Sequence, residues 1–111
     1  MLLLMVRQEG KAQEQFALQK LDSLQVLLED IGTSKEKAET LLEISRLSVL
    51  VDKEESLNAS LEARDIAVAI KNDTLLCEAY RAIQYTYFFK DEIEPALAYI
   101  DSSIMTAQTL G

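Results

Sequence analysis

The chain has 111 residues, 49% of them apolar and 27% charged, with three Gly and one Pro. Four breakers in 111 residues, against roughly 12% Gly plus Pro in average proteins, leave few turns and predict one small all-α domain. The absence of His removes Ser-His-Asp and Cys-His nucleophilic schemes, His-ligated zinc, Glu-x-x-His di-iron sites and imidazole bases. A noncatalytic binding or scaffolding part is therefore expected, with no cofactor and no metal.

Lys plus Arg number 11 and Asp plus Glu 19, a net charge of −8, which repels phosphate backbones and anionic lipid and argues against nucleic-acid partners. The single cysteine, Cys77, makes no intrachain disulfide or multi-thiolate site and reads as a small buried thiol. Met1-Leu2-Leu3-Leu4-Met5-Val6 is far shorter than the about 20 residues of a membrane span and lacks the basic stretch of a signal peptide. Residues 1–10 are thus expected to be an apolar tail without membrane insertion, in a cytoplasmic protein. A truncated signal sequence with a cleavage site near Lys11-Ala12-Gln13, and so an exported, periplasmic protein, is the alternative.

Breaks fall at Gly10, Gly32-Thr33-Ser34, Asp52, Asn72-Asp73-Thr74 and Lys90-Asp91, and five helices fit between them. The first, an N-terminal packing helix within 11–32, spaces Phe16, Ala17, Leu18, Leu21, Leu24, Leu28 and Ile31 by three and four, one apolar stripe ending at a Gly32 C-cap. Thr33-Ser34-Lys35-Glu36 reads T-x-x-E, a capping box that opens a second helix. That helix carries Ala38, Leu41, Leu42, Ile44, Leu47 and Leu50 to about Val51. Asp52 with Glu54 and Glu55 caps a third, which runs through Leu57, Leu61, Ala63, Ile66, Ala67 and Ile70. Asp73 is expected to cap the fourth, 74–89, packing through Leu76, Ala79, Tyr80, Ile83, Tyr87 and Phe88. The fifth starts near Ile93-Glu94-Pro95, where Pro is tolerated in a first turn, and turns Ala96, Leu97, Ile100, Ile104, Ala107 and Leu110 inward.

Self-comparison gives a period near 40, in the range of stacked helical hairpins. Ser56-Leu57, Ala63, Ala67 and Ile70 precede Ala96-Leu97, Ser103, Ala107 and Leu110 by 40 residues, and Leu41, Ile44 and Ser45 precede Tyr80, Ile83 and Gln84 by 39. The turns inside the two hairpins should therefore differ by one residue.

Tyr80, Ile83, Tyr87, Ala96, Ile100 and Ser103, spaced Y-x2-I-x3-Y-x8-A-x3-I-x2-S, resemble the tetratricopeptide repeat (TPR) family. Gln84 stands at a usual small position, Asp91 at the turn Gly, and the second small position is Ser103. A weaker copy, Leu41, Ile44, Ser45 and Ser48 with Ser56, Ser60 and Ala63, keeps small residues where helices approach closely. The resemblance spans residues 35–111 and implies antiparallel helical hairpins, 35–72 and 73–111, stacked as a short right-handed TPR-like solenoid of about five helices. The alternative is an unrelated helical bundle whose period is chance.

A period of 39 to 40 resembles the longer TPR-like hairpins of bacterial regulatory proteins, with endings such as Ile70-Lys71-Asn72-Asp73 and Leu110-Gly111 and the lead-in Leu21-Asp22-Ser23-Leu24 before Glu36-Lys37-Ala38. Two functions follow from the resemblance. One is a protein–protein interaction or scaffold module that binds a peptide or partner helix, or self-associates. The other is a sensory or regulatory N-terminal segment of a larger signalling protein, a sensor kinase or cyclase.

Acid pairs such as Glu54-Glu55, Glu39 with Glu43, and Glu92 with Glu94 read as caps and solvated faces. The TPR geometry implies a concave face on the first helices of the hairpins: Glu39, Leu42, Arg46, Val49 and Leu50, then Glu78, Arg81, Tyr85, Phe88 and Phe89. There Arg46 and Arg81 would grip carboxylates bidentately, and Tyr85, Phe88 and Phe89 would add aromatic anchors. The same residues would alternatively cover the first helix or a second subunit. Because about three repeats are normally needed for stability and this chain offers two plus a helix, a homodimer is expected.

Overall fold

A computed structural model describes the backbone of residues 2–30 and 32–110, and the side chains within it other than those of 2–11, 30, 103, 107, 109 and 110. The described residues form five helices and no strand: α1 (Leu2–Asp30), α2 (Ser34–Ser48), α3 (Lys53–Ala69), α4 (Asp73–Phe89) and α5 (Ile93–Leu110). The apolar-tail side chains, Ile31, and the packing expected of Ser103, Ala107, Leu110 and Gly111 lie outside that description.

Helix α1 begins at Leu2 and passes through Gly10, ahead of the start expected near residue 11. A single Gly costs only about 1 kcal/mol in a helix interior, too little to stop one flanked by good helix formers. Thr33 caps α2 by accepting from the Glu36 amide at 3.2 Å, the hydroxyl half of the expected box. Asp52 caps α3 by accepting from the Glu55 amide at 3.2 Å. At α4 the cap is Asn72, not the expected Asp73: Asn72 has extended φ and ψ and its side chain accepts from the Leu75 amide at 3.0 Å. Asp73 becomes the first helical residue, where its charge meets the positive end of the helix dipole.

Two helices end on left-handed residues that are not glycine. Lys71 has φ 56° and Asp91 φ 59°. The Asn72 amide returns to the Ala67 carbonyl at 3.0 Å and the Glu92 amide to the Tyr87 carbonyl at 2.9 Å, the six-to-one bond of a Schellman motif. Asp91 thus performs the chain reversal that a Gly performs at no steric cost.

The helices pack in chain order, α1 on α2, α2 on α3, α3 on α4 and α4 on α5, and α2 also lies beside α4. The result is two helical hairpins, α2–α3 and α4–α5, stacked with α1 at one end in a body of 52 × 36 × 23 Å. Four residues (49–52) join the first hairpin and three (90–92) the second.

Ile44 and Ile83, 39 residues apart, are the largest fully buried side chains. Ala38, Leu41, Ala59, Ala63, Ala67, Leu75 and Ala79 form one core cluster with Ile44, and Leu21 of α1 joins it. Alanines and serines dominate the contacts of α3, which lies between α2 and α4; small side chains let three helix backbones close together.

Several residues expected inside are exposed: Phe16, Leu18, Leu50, Ile70, Phe88, Leu97 and Ile104. On α1 the seam is Ala17 and Leu21, continued by half-buried Leu24 and Leu28, and Phe16 and Leu18 flank it about 100° to either side. Leu97 and Ile104 are exposed because α5 has a neighbour on the α4 side alone.

Candidate functional site

Because α2 and α4 run side by side, their outward residues at three- and four-residue spacing face one another across a groove. One stretch, about 610 Å³, is lined by Lys35, Glu39, Leu42, Glu43 and Arg46 from α2 and by Asn72, Thr74, Leu75 and Glu78 at the start of α4. The next, about 550 Å³, is lined by Leu42, Ser45 and Arg46 across from Glu78, Arg81, Ala82, Tyr85 and Thr86. Leu42, Arg46 and Glu78 belong to both, so the two stretches are one continuous trough.

Six of the ten residues assigned to the concave face line this trough: Glu39, Leu42, Arg46, Glu78, Arg81 and Tyr85. The other four do not. Val49 is buried at the end of α2, its amide bonded to the Ser45 carbonyl at 3.2 Å, so its side chain meets the core. Leu50 opens instead into a separate apolar cleft with Ala12, Gln13, Phe16, Ala17 and Leu47, between α1 and α2. Phe88 and Phe89 sit at the end of α4, 65% and 37% exposed, and α1 does not reach them, since it packs on α2. Phe89 stacks obliquely on Tyr85 with ring centroids 4.8 Å apart, which extends an aromatic edge from the trough.

Beneath the trough lies a set of buried hydroxyls. Ser45 and Thr86 line the trough but are almost wholly buried. The Ser45 hydroxyl donates to the Ser56 carbonyl at 2.9 Å and Ser56 donates back to the Ser45 carbonyl at 2.7 Å. Ser56 Oγ also lies 2.8 Å from Thr86 Oγ1, whose single proton is shared between Ser56 Oγ and the Ala82 carbonyl, 2.9 Å away. One small network therefore ties α2, α3 and α4 together beneath the groove, at about 0.5–1.5 kcal/mol per bond. Ser48, one turn further along α2, is also fully buried, yet its hydroxyl has no partner.

The two arginines differ. Arg46 is paired with Glu43 on its own helix, whereas Arg81 is exposed and makes no hydrogen bond or ion pair with any described residue. An exposed, uncommitted guanidinium retains all five donors for a ligand. Lys35, Glu39 and Glu78 complete a rim of mixed sign, with Lys35 and Glu39 3.9 Å apart.

Behind the groove the charged contacts are structural. Arg64 of α3 bonds Asp65 at 3.0 Å and the Tyr99 hydroxyl of α5 at 3.2 Å. Burial pulls the Arg64 guanidinium down, and Asp65, Tyr99 and Tyr80 together more than offset this, so its pKa lies above the ordinary value. Lys90 reaches Glu54 at 2.5 Å, and that hydrogen bond raises the lysine. Among the described residues no three His, Cys, Asp or Glu gather as a metal site would need, and no helix is long and apolar enough to cross a membrane.

The concave face expected from the sequence leaves out Lys35, Glu43, Ser45, Asn72, Thr74, Leu75, Ala82 and Thr86, which also line the trough. Lys35, Glu39, Leu42 and Arg46 continue one helical row by steps of four, three and four, so the row itself pointed to Lys35. Asn72 reads as a breaker in the sequence, and nothing local marks it as facing another hairpin. No protein-family model, curated protein or solved structure matches the chain.

Proposed function

We propose that this protein is a noncatalytic interaction module of TPR type, in which the trough between α2 and α4 receives a peptide segment or a partner helix. The observation that carries the reading is the juxtaposition on one open groove of an uncommitted cation, Arg81, an aromatic face, Tyr85, and an apolar floor at Leu42 and Ala82. Peptide sites combine such elements: an anchor pocket supplies affinity and a fixed fork of donors supplies orientation. The preferred ligand is a segment with a carboxylate for Arg81 and Arg46 and an apolar side chain against Leu42 and Tyr85.

Selection from a random-peptide library on the immobilised full chain tests this, with the Arg46→Glu, Arg81→Glu double variant as the counter-screen. Both positions are exposed, so the variant keeps its helix content. Enriched peptides that carry acids and lose affinity for the variant support the proposal. Peptides that bind both proteins equally refute the groove.

Self-association is the second reading, favoured by the apolar cleft where Phe16 and Leu50 stand exposed between α1 and α2. A homodimer through that end would bury both side chains. Sedimentation at micromolar concentration distinguishes the cases: a dimer that Leu50→Asp converts to monomer supports it, and a 12.5 kDa monomer for the parent chain rejects it.

A further inference from the structure

We propose that the outer flank of α5 is a second docking surface, separate from the trough, for a basic amphipathic helix. Ile93, Leu97, Ile100 and Ile104 follow one another by steps of four, three and four, the spacing of a seam that packs against another helix. Ile93, Leu97 and Ile104 are 61%, 56% and 51% exposed.

The internal repeat identifies what fits there. Leu57 occupies on α3 the place that Leu97 occupies 40 residues later on α5. It is only 8% exposed, because α3 lies between α2 and α4 whereas α5 packs on α4 alone. The α5 flank is therefore the surface that takes a helix in the preceding hairpin.

Charge selects which helix. From Asp91 to Gly111 the sequence holds four acids, Asp91, Glu92, Glu94 and Asp101, and no Lys or Arg. Glu94 and Asp101, two turns apart and both exposed, border the apolar row. A second copy docked flank to flank sets these acids against their equivalents, which is repulsive. A partner helix with Lys or Arg beside an apolar stripe at the same spacing pairs with both acids.

The probe is a synthetic peptide of about 18 residues, roughly five helical turns, with Leu along one face and Lys beside it. A scrambled peptide of identical composition and a Glu-for-Lys peptide are the controls. Binding to the full chain is read by fluorescence anisotropy at about 0.15 M salt, where long-range attraction is screened. The amphipathic Lys peptide is expected to bind at least about tenfold tighter than either control, and Leu97→Asp and Asp101→Lys each to weaken it about tenfold. Arg81→Glu, in the trough, should leave it within about twofold. Circular dichroism matching the parent chain verifies each fold, and Asp101→Lys, at an exposed mid-helix position, carries the test should Leu97→Asp unfold. Equal binding of the scrambled peptide, or unchanged affinity in folded Asp101→Lys and Leu97→Asp, overturns the proposal. So does a dimer of the parent chain that Leu97→Asp dissolves, since the occupant would then be a second copy.

Discussion

Among the described residues, two that are not glycine hold the left-handed backbone conformation. Lys71 and Asp91 have positive φ, which costs a residue with a Cβ about 1 kcal/mol. Glycine removes that cost at the expense of a more flexible unfolded chain. Lys71→Gly and Asp91→Gly are each expected to stabilise by about 0.5–1 kcal/mol in urea unfolding, and their effects should add, because they lie in different turns.

The buried hydroxyls divide in the same way. Ser48→Ala removes an unpartnered buried oxygen and improves helix propensity, so it should stabilise by about 1 kcal/mol. Ser56→Ala removes a donor to α2 and a partner of Thr86, and should destabilise by about 1–2 kcal/mol. Chemical denaturation of the two variants side by side measures both, and opposite signs are the expected outcome. The Lys90 contact adds a pH signature. Its pKa is raised by Glu54, so the stability it lends is complete below the ordinary lysine value and is lost as pH climbs through the raised one. The difference in melting temperature between the parent and Glu54→Gln should stay constant from about pH 6 to 9 and close only in strong alkali.

At the scale of elements, the core is built on equivalent positions of the two hairpins. Ile44 and Ile83 each anchor the first helix of a hairpin. Truncation of either to Ala should cost about 2–5 kcal/mol, a large part of the whole stability of a small domain, and thermal unfolding read by circular dichroism checks it. The helices themselves were legible in the sequence because caps and spacing agree: Thr33 and Asp52 cap where their side-chain chemistry demands, and the period of 39 to 40 places the hairpins. What misled was local. Asp73 beside Asn72 offers two equally competent caps, and the choice between them depends on backbone geometry that neighbouring helices impose. Gly10 looked like a boundary, yet one glycine is a modest penalty within a long helix. Burial at the ends of helices was the least legible feature, since Val49 and Phe88 are both apolar residues near the end of a first helix and take opposite fates. Val49 is covered and Phe88 is open. That difference arises from which helix follows in space, and no residue within a few positions encodes it.

For the molecule as a whole, a stack of two hairpins and a leading helix presents the α2–α4 trough, an apolar cleft between α1 and α2, and the exposed flank of α5. Six trough residues were readable because the first helices of stacked hairpins present equivalent rows. The separation of Leu50 from that trough was not readable, because it depends on where α1 lies. With no His in the chain, no imidazole titrates near neutrality, and binding in the trough should vary little between about pH 6 and 8. A steep change across that range in peptide affinity would indicate a partner-side titration.

The central claim, that the α2–α4 trough is the recognition face, is tested most directly by amide chemical-shift mapping of the full chain with a library-selected peptide. The expected result is a continuous band of perturbed amides through Leu42, Ser45 and Arg46 on α2 and Glu78, Arg81 and Tyr85 on α4, absent in Arg81→Glu. Perturbations confined to α1 or α5, with α2 and α4 unmoved, would contradict it.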